Sequence, residues 1–98
     1  MAKLNENYET IMILNTKQTE EEIKALVEKF SALISKNGTL ETVEEWGKRK
    51  LAYEIEDESE GYYVYITFNS TPDFPAELDR VYKITDGVLR TLIVKREN

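Results

Sequence analysis

Three consecutive basic residues, Lys48, Arg49 and Lys50, form the densest positive cluster in this sequence. Lys and Arg side chains contact phosphate oxygens, so such a cluster can bind the backbone of a nucleic acid. On a β-strand, Lys48 and Lys50 share one face and Arg49 lies on the other. The pattern is also typical of an exposed edge strand, where lysines prevent unwanted strand pairing, so both interpretations stay open.

A second basic group is expected where the first and last strands of the fold meet. Arg90, Lys95 and Arg96 lie in or just after the last β-prone segment, and Lys3 precedes the first one. If these two strands are neighbours, Lys3 and Lys95 approach the same edge of the sheet. Phosphate contacts require a local cluster of bases rather than a basic protein, so these four residues are candidates for such contacts.

The net charge of the chain is unevenly distributed. The 98 residues include 13 Lys and Arg against 19 Asp and Glu, a formal charge of −6. Residues 41–60 hold eight of the acids and three of the bases, so most of the excess lies there. The acidic total argues at first sight against a nucleic-acid partner. The residues outside 41–60 are together nearly neutral, so the acidic total does not exclude RNA as a partner. We expect only that this chain does not bind RNA tightly by itself.

Two tyrosines, Tyr63 and Tyr65, lie on the alternating set opposite to the apolar set of their predicted strand. The segment 61–68 is similar to the aromatic strand of an RNA-recognition motif, but Tyr63 stands where that motif has a small residue. Glu60 also replaces its expected base. The two tyrosines therefore either pack as cross-strand pairs or under a partner, or contact nucleic acid or a partner protein directly.

Catalytic and metal-binding chemistry are poorly supported. The sequence has no Cys and no His, which removes thiol nucleophiles, His bases and zinc sites. The loop 15–18 has neither the Gly nor the Arg of a phosphate-cradling loop. The acidic run 56–61 lacks the Glu that a calcium loop needs six residues after its Gly. We therefore expect no enzymatic activity, no cofactor and no metal site.

Length and composition predict one folded domain over residues 1–98. The chain is 41% hydrophobic and 10% aromatic, which is typical of a globular protein. It has no apolar run of the roughly 20 residues that span a bilayer. Its N-terminal residues do not resemble a signal peptide, so a cytoplasmic protein is expected.

The first half of the chain predicts a strand followed by a helix. Residues 8–15 are β-prone and apolar on both alternating sets. Thr19 and Glu22 form a capping box, which predicts a helix start. Asn37 and Gly38 predict its end, with Gly38 in the left-handed conformation. The apolar face of this helix has the expected spacing of three and four residues: Ile23, Leu26, Val27, Phe30, Leu33 and Ile34.

The second half predicts two strands, a helix and a last strand. Residues 39–56 form a mostly polar strand that Trp46 and Gly47 interrupt, which indicates a bulge. Residues 57–61 are a hairpin connection to a strand over 62–69, Pro75 opens a helix, and residues 88–95 are the last strand. The order β-α-β-β-α-β predicts an α+β, ferredoxin-like split sandwich. It has a four-stranded antiparallel sheet with both helices on one face, and the other face is left for binding.

Four segments of this sequence resemble one protein family, the sixth protein of the bacterial small ribosomal subunit. They cover essentially the whole chain, in the right order and at the right length. The most specific is Trp46-Gly47-Lys48-Arg49-Lys50-Leu51-Ala52-Tyr53. The others are Tyr8-Glu9, Gly61-Tyr62-Tyr63 and Val94-Lys95.

The resemblance implies a structural, non-catalytic role in the cytoplasmic ribosome, in support of ribosome assembly and translation. It implies binding to the central domain of small-subunit ribosomal RNA as a heterodimer with the eighteenth small-subunit protein, which supplies much of the positive charge. By position, it implies RNA or partner contacts for Tyr8, Lys95 and the stretch Lys48–Lys50. The alternative function is a small-molecule-sensing regulatory domain on the same fold that acts as a homo-oligomer.

Overall fold

The computed structural model describes residues 5–55 and 58–96 of the chain. Their four strands form one antiparallel sheet in the order β2-β3-β1-β4. This architecture confirms the predicted ferredoxin-like β-α-β-β-α-β fold. In chain order the elements are β1 (Glu6–Asn15), α1 (Glu20–Asn37), β2 (Gly38–Ile55), β3 (Glu58–Ser70), α2 (Phe74–Lys83) and β4 (Val88–Lys95).

Helix α1 begins where the capping box predicts. The Thr19 hydroxyl accepts a hydrogen bond from the Glu22 backbone N–H, and the Glu22 carboxylate accepts one from the Thr19 N–H. Two backbone donors that a helix start would leave unpaired are thereby satisfied. Helix α2 has Pro75 in its first turn, as expected.

The structure corrects the expectation for Gly38. Its φ is −173°, an extended conformation, so the residue starts β2 rather than adopting a left-handed cap. Glycine is required there by close packing, because a Cβ on Gly38 would lie 2.2 Å from the backbone oxygen of Asn69. Residues 58–61 of the connection expected over 57–61 belong to β3, which begins at Glu58, and residue 57 lies outside the described residues.

The core lies between the helices and one face of the sheet. Strand β1 contributes its alternate residues Tyr8, Thr10, Met12 and Leu14, all buried. This settles which set of β1 faces the helices, a point that the sequence left open because both sets are partly apolar. The other core residues come from β3 and the two helices: Val64, Ile66, Phe68, Ile23, Val27, Phe30, Ile34, Phe74, Leu78 and Tyr82.

Two buried hydroxyls in this core satisfy each other. The Tyr82 hydroxyl lies 3.1 Å from Thr10 Oγ1, and the Tyr82 ring packs against Phe30 with centroids 4.5 Å apart. A buried hydroxyl without a hydrogen-bond partner would destabilise the folded state by about 1–3 kcal/mol. Because these two hydroxyls bond each other, α2 packs on β1 without this loss of stability. Burial raises the pKa of Tyr82 well above its ordinary value.

Candidate functional site

The sheet face that points away from the helices carries a continuous apolar surface. We call this surface, with the residues that border it, the open face. Strands β1, β3 and β4 contribute their remaining alternate residues to it: Glu9, Ile11, Ile13, Tyr63, Tyr65, Arg90, Leu92 and Val94. Leu92 is 56% exposed and Val94 is 41% exposed, so the face keeps large hydrophobic side chains in water. Uncovered apolar surface of this kind marks interaction sites.

The centre of the open face is an aromatic stack. The Trp46 ring lies on the Tyr65 ring, with centroids 5.3 Å apart and planes inclined by 16°. The Arg49 guanidinium lies 5.5 Å from the Trp46 ring centroid, within the range of a cation–π contact. One surface cluster thus joins a base of the Lys48–Lys50 stretch to one of the two predicted tyrosines.

A bulge in β2 places Trp46 on this face. The pairing of β2 with β3 shifts between Glu45 and Gly47, and Gly47 has φ +82°, in the left-handed region that favours glycine. The extra residue breaks the alternation of the strand, as the sequence predicted. Lys48 and Lys50 are exposed and lie opposite Tyr62 and Glu60 of β3.

Next to the aromatic stack, the open face is polar and acidic. The Tyr65 hydroxyl donates a hydrogen bond of 2.6 Å to Glu9. This bond to Glu9 is the main reason that the pKa of Tyr65 lies above its ordinary value, because ionising the phenol would remove the donor. Glu44 is close enough to raise the pKa of Tyr65 further. The acidic side chains give this part of the face a negative character.

At the other end of the open face, residues of all four strands line a groove of about 310 Å³. Its walls include Ile11, Ile13, Leu51 and Tyr63. The pairing of β2 with β3 is irregular between Lys50 and Ile55, and this irregular stretch supplies Leu51, Ala52 and Tyr53 to the groove.

An arginine from the opposite edge of the sheet closes this groove. Arg90 of β4 donates a hydrogen bond to the Tyr53 hydroxyl of β2, and its guanidinium lies 6.0 Å from the Tyr53 ring centroid. The two outer strands therefore meet across the open face. Both side chains are exposed, so this contact is one that an arriving partner can displace.

The structure does not gather the predicted C-terminal bases into one cluster. Arg90 and Lys95 are five positions apart in β4, roughly 17 Å along an extended strand. Lys95 forms an ion pair of 3.5 Å with Glu6, and Arg96 lies 3.9 Å from Glu41. Lys3 lies outside the described residues. Lys95 and Arg96 thus mark one end of the sheet, and Arg90 marks the other end.

Tyr8, expected at an RNA or partner surface, is placed in the core. Its side chain is 7% exposed, and its ring stacks on Phe68 with centroids 5.6 Å apart. A ring enclosed in this way stabilises the sheet and offers almost no surface to a ligand. The segment that resembles the family at Tyr8 and Glu9 contributes Glu9, rather than Tyr8, to the open face.

Sequence reasoning missed Trp46, Leu92 and Tyr53 as members of the site. Trp46 was identified from the sequence as part of the bulge and of the most family-specific segment, but not as a surface contact. The available signal was a tryptophan in a strand whose other residues are mostly polar, since large aromatics on polar surfaces are typical of interfaces. The exposure of Leu92 could not be predicted, because both alternating sets of β4 contain apolar residues.

The described residues contain no group of three or more acidic or other metal-ligating side chains that could hold a metal ion. Neither α1 nor α2, the helices of the described ranges, is long and apolar enough to cross a membrane.

The fold and this surface define a small ferredoxin-like protein that works by surface contacts. The family model described as ribosomal protein S6 matches residues 7–95. The chain is 57% identical over 91 residues to small ribosomal subunit protein bS6 of Clostridium kluyveri, covering 92% of this chain and 96% of the relative. It is 53% identical over 93 residues to bS6 of Caldanaerobacter subterraneus, covering 94% and 98%.

A solved structure agrees with this relationship. The crystal structure of 30S ribosomal protein S6 from Thermotoga maritima has a TM-score of 0.90, with 33% sequence identity over 94% of this chain and 88% of that one. The chain belongs to the ribosomal protein S6 family. It is accordingly a structural protein of the small subunit of the cytoplasmic ribosome and not an enzyme.

Proposed function

We propose that this chain binds the central domain of small-subunit ribosomal RNA together with the eighteenth small-subunit protein, as a heterodimer, and so supports assembly of the subunit. The observation that carries the proposal is the open face, where Trp46, Tyr65 and Leu92 form an apolar surface beside carboxylates. Residues 1–98 act in this role as one ferredoxin-like domain.

The charge of the open face supports a basic protein as the partner. Glu9 and Glu44 lie beside Tyr65, and Glu41 lies at the border near Arg96. Aromatic side chains next to these acids offer the apolar centre and polar rim that protein interfaces combine. Complementary charge speeds the encounter and rejects acidic competitors. Tyr63 and Tyr65 would then contact the partner rather than RNA bases.

The bases at the borders of the sheet support RNA contact. Lys95 and Arg96 at one end, Arg90 at the other and the stretch Lys48–Lys50 on β2 are all exposed. Lys3 is expected to add to the first group. In the free chain, Lys95 and Arg96 pair with carboxylates. Exposed ion pairs contribute only about 0–1 kcal/mol, so phosphate groups can replace these partners.

The test is a titration of a central-domain ribosomal RNA fragment with this chain alone, with the eighteenth protein alone, and with both. Tight binding of this chain that appears only in the presence of the partner supports the proposal. Equal RNA binding with and without the partner would contradict the heterodimer. Absence of RNA binding under every condition would contradict the function itself.

The groove next to Arg90 is the feature that would support the alternative function, a small-molecule sensor. Its volume of about 310 Å³ is at the lower end of the range for ligand pockets. A sensor would bind a metabolite there and show no RNA affinity, so the same titration separates the two functions.

A further inference from the structure

The two edges of the sheet are protected very differently. The pairing of edge strand β2 is irregular at three places, and this strand carries charged residues along its length. Bulges and charges of this kind prevent another strand from pairing with an edge. Edge strand β4 is less protected: its pairing with β1 is regular from Arg90 to Lys95, its charged residues stand at the two ends of that stretch, and five of its eight residues are Val, Leu or Ile.

The backbone of β4 offers hydrogen-bonding groups beyond the sheet. The Arg96 N–H donates to the Asn7 oxygen of β1 at 2.7 Å. The backbone N–H and C=O groups of successive residues point to opposite sides of a strand. The groups of Arg90, Leu92 and Val94 therefore also point toward β1. The N–H and C=O groups of Thr91, Ile93 and Lys95 therefore point outward, where the described residues supply no further strand.

Space for another strand exists on the helix side of this edge. A groove of about 380 Å³ lies between α2 and the start of β4, lined by residues that include Tyr82, Lys83 and Val88. On the opposite side, Leu92 and Val94 are exposed. A strand added to β4 would lie beside this groove and cover part of the exposed apolar surface of Leu92 and Val94.

We propose that a second copy of this chain covers the β4 edge in the free protein, with the two β4 strands antiparallel about a two-fold axis at Leu92. A two-fold interface uses the same patch twice, so each residue pairs with a fixed counterpart. In this register Leu92 faces Leu92, Thr91 exchanges backbone hydrogen bonds with Ile93, and Arg90 lies opposite Val94.

The sequence of β4 selects this register over its neighbours. An axis at Ile93 would place Arg90 opposite Arg96, and like charges directly opposite each other are destabilising. An axis at Thr91 would bring the irregular residue Leu89, which the β1 pairing skips, opposite Ile93. Only the axis at Leu92 keeps residues 90–94 in regular pairing without a repulsive contact.

The resulting dimer has one continuous eight-stranded sheet. Its contact area is mostly that of one strand pair, at the low end of interface sizes, so the dimer is weak and forms only at high protein concentration. The inference concerns the free chain and is independent of the proposed ribosomal function. The RNA titration tests that function, and self-association of the isolated chain tests this dimer.

Single-cysteine variants test the register, because the native sequence contains no cysteine. In the proposed dimer the two copies of residue 92 form a non-hydrogen-bonded pair with Cα atoms about 4.5 Å apart, a distance that a disulfide spans. Mild oxidation of Leu92→Cys should give a cross-linked dimer. The matched control Val94→Cys lies on the same face of the strand, but its two copies would be roughly 13 Å apart, so it should stay uncross-linked.

Sedimentation and hydrogen exchange test the dimer in the unmodified chain. Raising the concentration should increase the sedimentation coefficient and slow amide exchange at Thr91 and Ile93, while exchange at Arg90, Leu92 and Val94 stays unchanged. Leu92→Lys should weaken association about tenfold, since it places two ammonium groups opposite each other. The control Ile84→Lys changes an exposed residue outside β4 and should associate normally. A chain that stays monomeric at every concentration, or equal cross-linking of both cysteine variants, overturns the proposal.

Discussion

Trp46 and Tyr65, from neighbouring strands, form a nearly parallel stack at the centre of the open face, with ring centroids 5.3 Å apart. The bulge at Gly47 makes this contact possible, and the Arg49 guanidinium lies 5.5 Å from the Trp46 ring centroid. A large aromatic held rigidly in an exposed position loses little conformational entropy when a partner covers it. This geometry makes Trp46 the expected energetic centre of partner binding.

We therefore expect Trp46→Ala to weaken binding of the eighteenth small-subunit protein by about 2 kcal/mol or more, roughly 30-fold. Isothermal titration of the two purified proteins measures this change. Ile84→Ala, which removes an exposed hydrophobic side chain outside the open face, is the control and should bind normally. Unchanged affinity of the Trp46 variant would exclude the aromatic stack from the interface.

Lys95→Ala should lower RNA affinity and reduce the slope of log affinity against log salt concentration by about one, if this lysine neutralises one phosphate. The measurement is a salt titration of RNA binding by the heterodimer. Lys36→Ala, at the exposed last turn of α1, removes the same charge elsewhere and should leave the slope unchanged. An unaltered slope for both variants would show that Lys95 makes no phosphate contact.

Substitution of Gly38 should destabilise the fold more than substitution of Gly47. In Gly38→Ala the new Cβ would meet the Asn69 backbone oxygen at 2.2 Å, so β2 or β3 must shift. We expect a cost of about 1–3 kcal/mol, as for other overpacked sites. Gly47→Ala meets no atom within 4 Å and carries only the strain of its positive φ, about 1 kcal/mol. Urea denaturation measures the unfolding free energy of both variants. A loss for Gly47→Ala that equals or exceeds the loss for Gly38→Ala would contradict the close packing assigned to Gly38.

Stability should fall at alkaline pH because of Tyr82. Burial raises its pKa above the value of about 10 expected in the unfolded chain, so folding favours the neutral phenol. The associated stability is fully present below pH 10 and is lost as the pH rises above it, by up to about 1.4 kcal/mol per pH unit. Urea denaturation at pH 8, 10 and 11 measures this dependence.

In Tyr82→Phe this loss should be absent, although the variant is less stable at neutral pH because Thr10 loses its buried partner. The difference in unfolding free energy between the two proteins should therefore narrow as the pH rises. A constant difference from pH 8 to pH 11 would contradict the pKa assignment.

The order of elements and the helix faces could be predicted from the sequence, because they depend on local signals. The capping box at Thr19, the apolar spacing of α1 and the alternation of β3 each specify an element from neighbours along the chain. The bulge at Trp46 and Gly47 was also predicted. The left-handed cap at Gly38 was not correct, since close packing against Asn69, distant in sequence, decides that conformation.

Only part of the candidate site could be predicted from the sequence, because contacts between residues distant in the chain decide the rest. The bases and tyrosines could be selected by residue type, and the alternation placed Tyr63 and Tyr65 opposite the core. The sequence could not show that Tyr8 is enclosed, that Trp46 meets Tyr65, or that Arg90 reaches Tyr53 across four strands. These contacts join residues between 19 and 60 positions apart, and strand register determines them.

By itself the sequence determined the fold class, the family resemblance and the excess of acid, because periodicity, capping motifs and composition are local properties. Only the tertiary structure decided which alternating set of β1 is buried, how the predicted bases are distributed, and that the largely apolar strand β4 lies at an edge of the sheet. Pairing of strands distant in the chain sets each of these features, and a shift of one residue would reverse the faces.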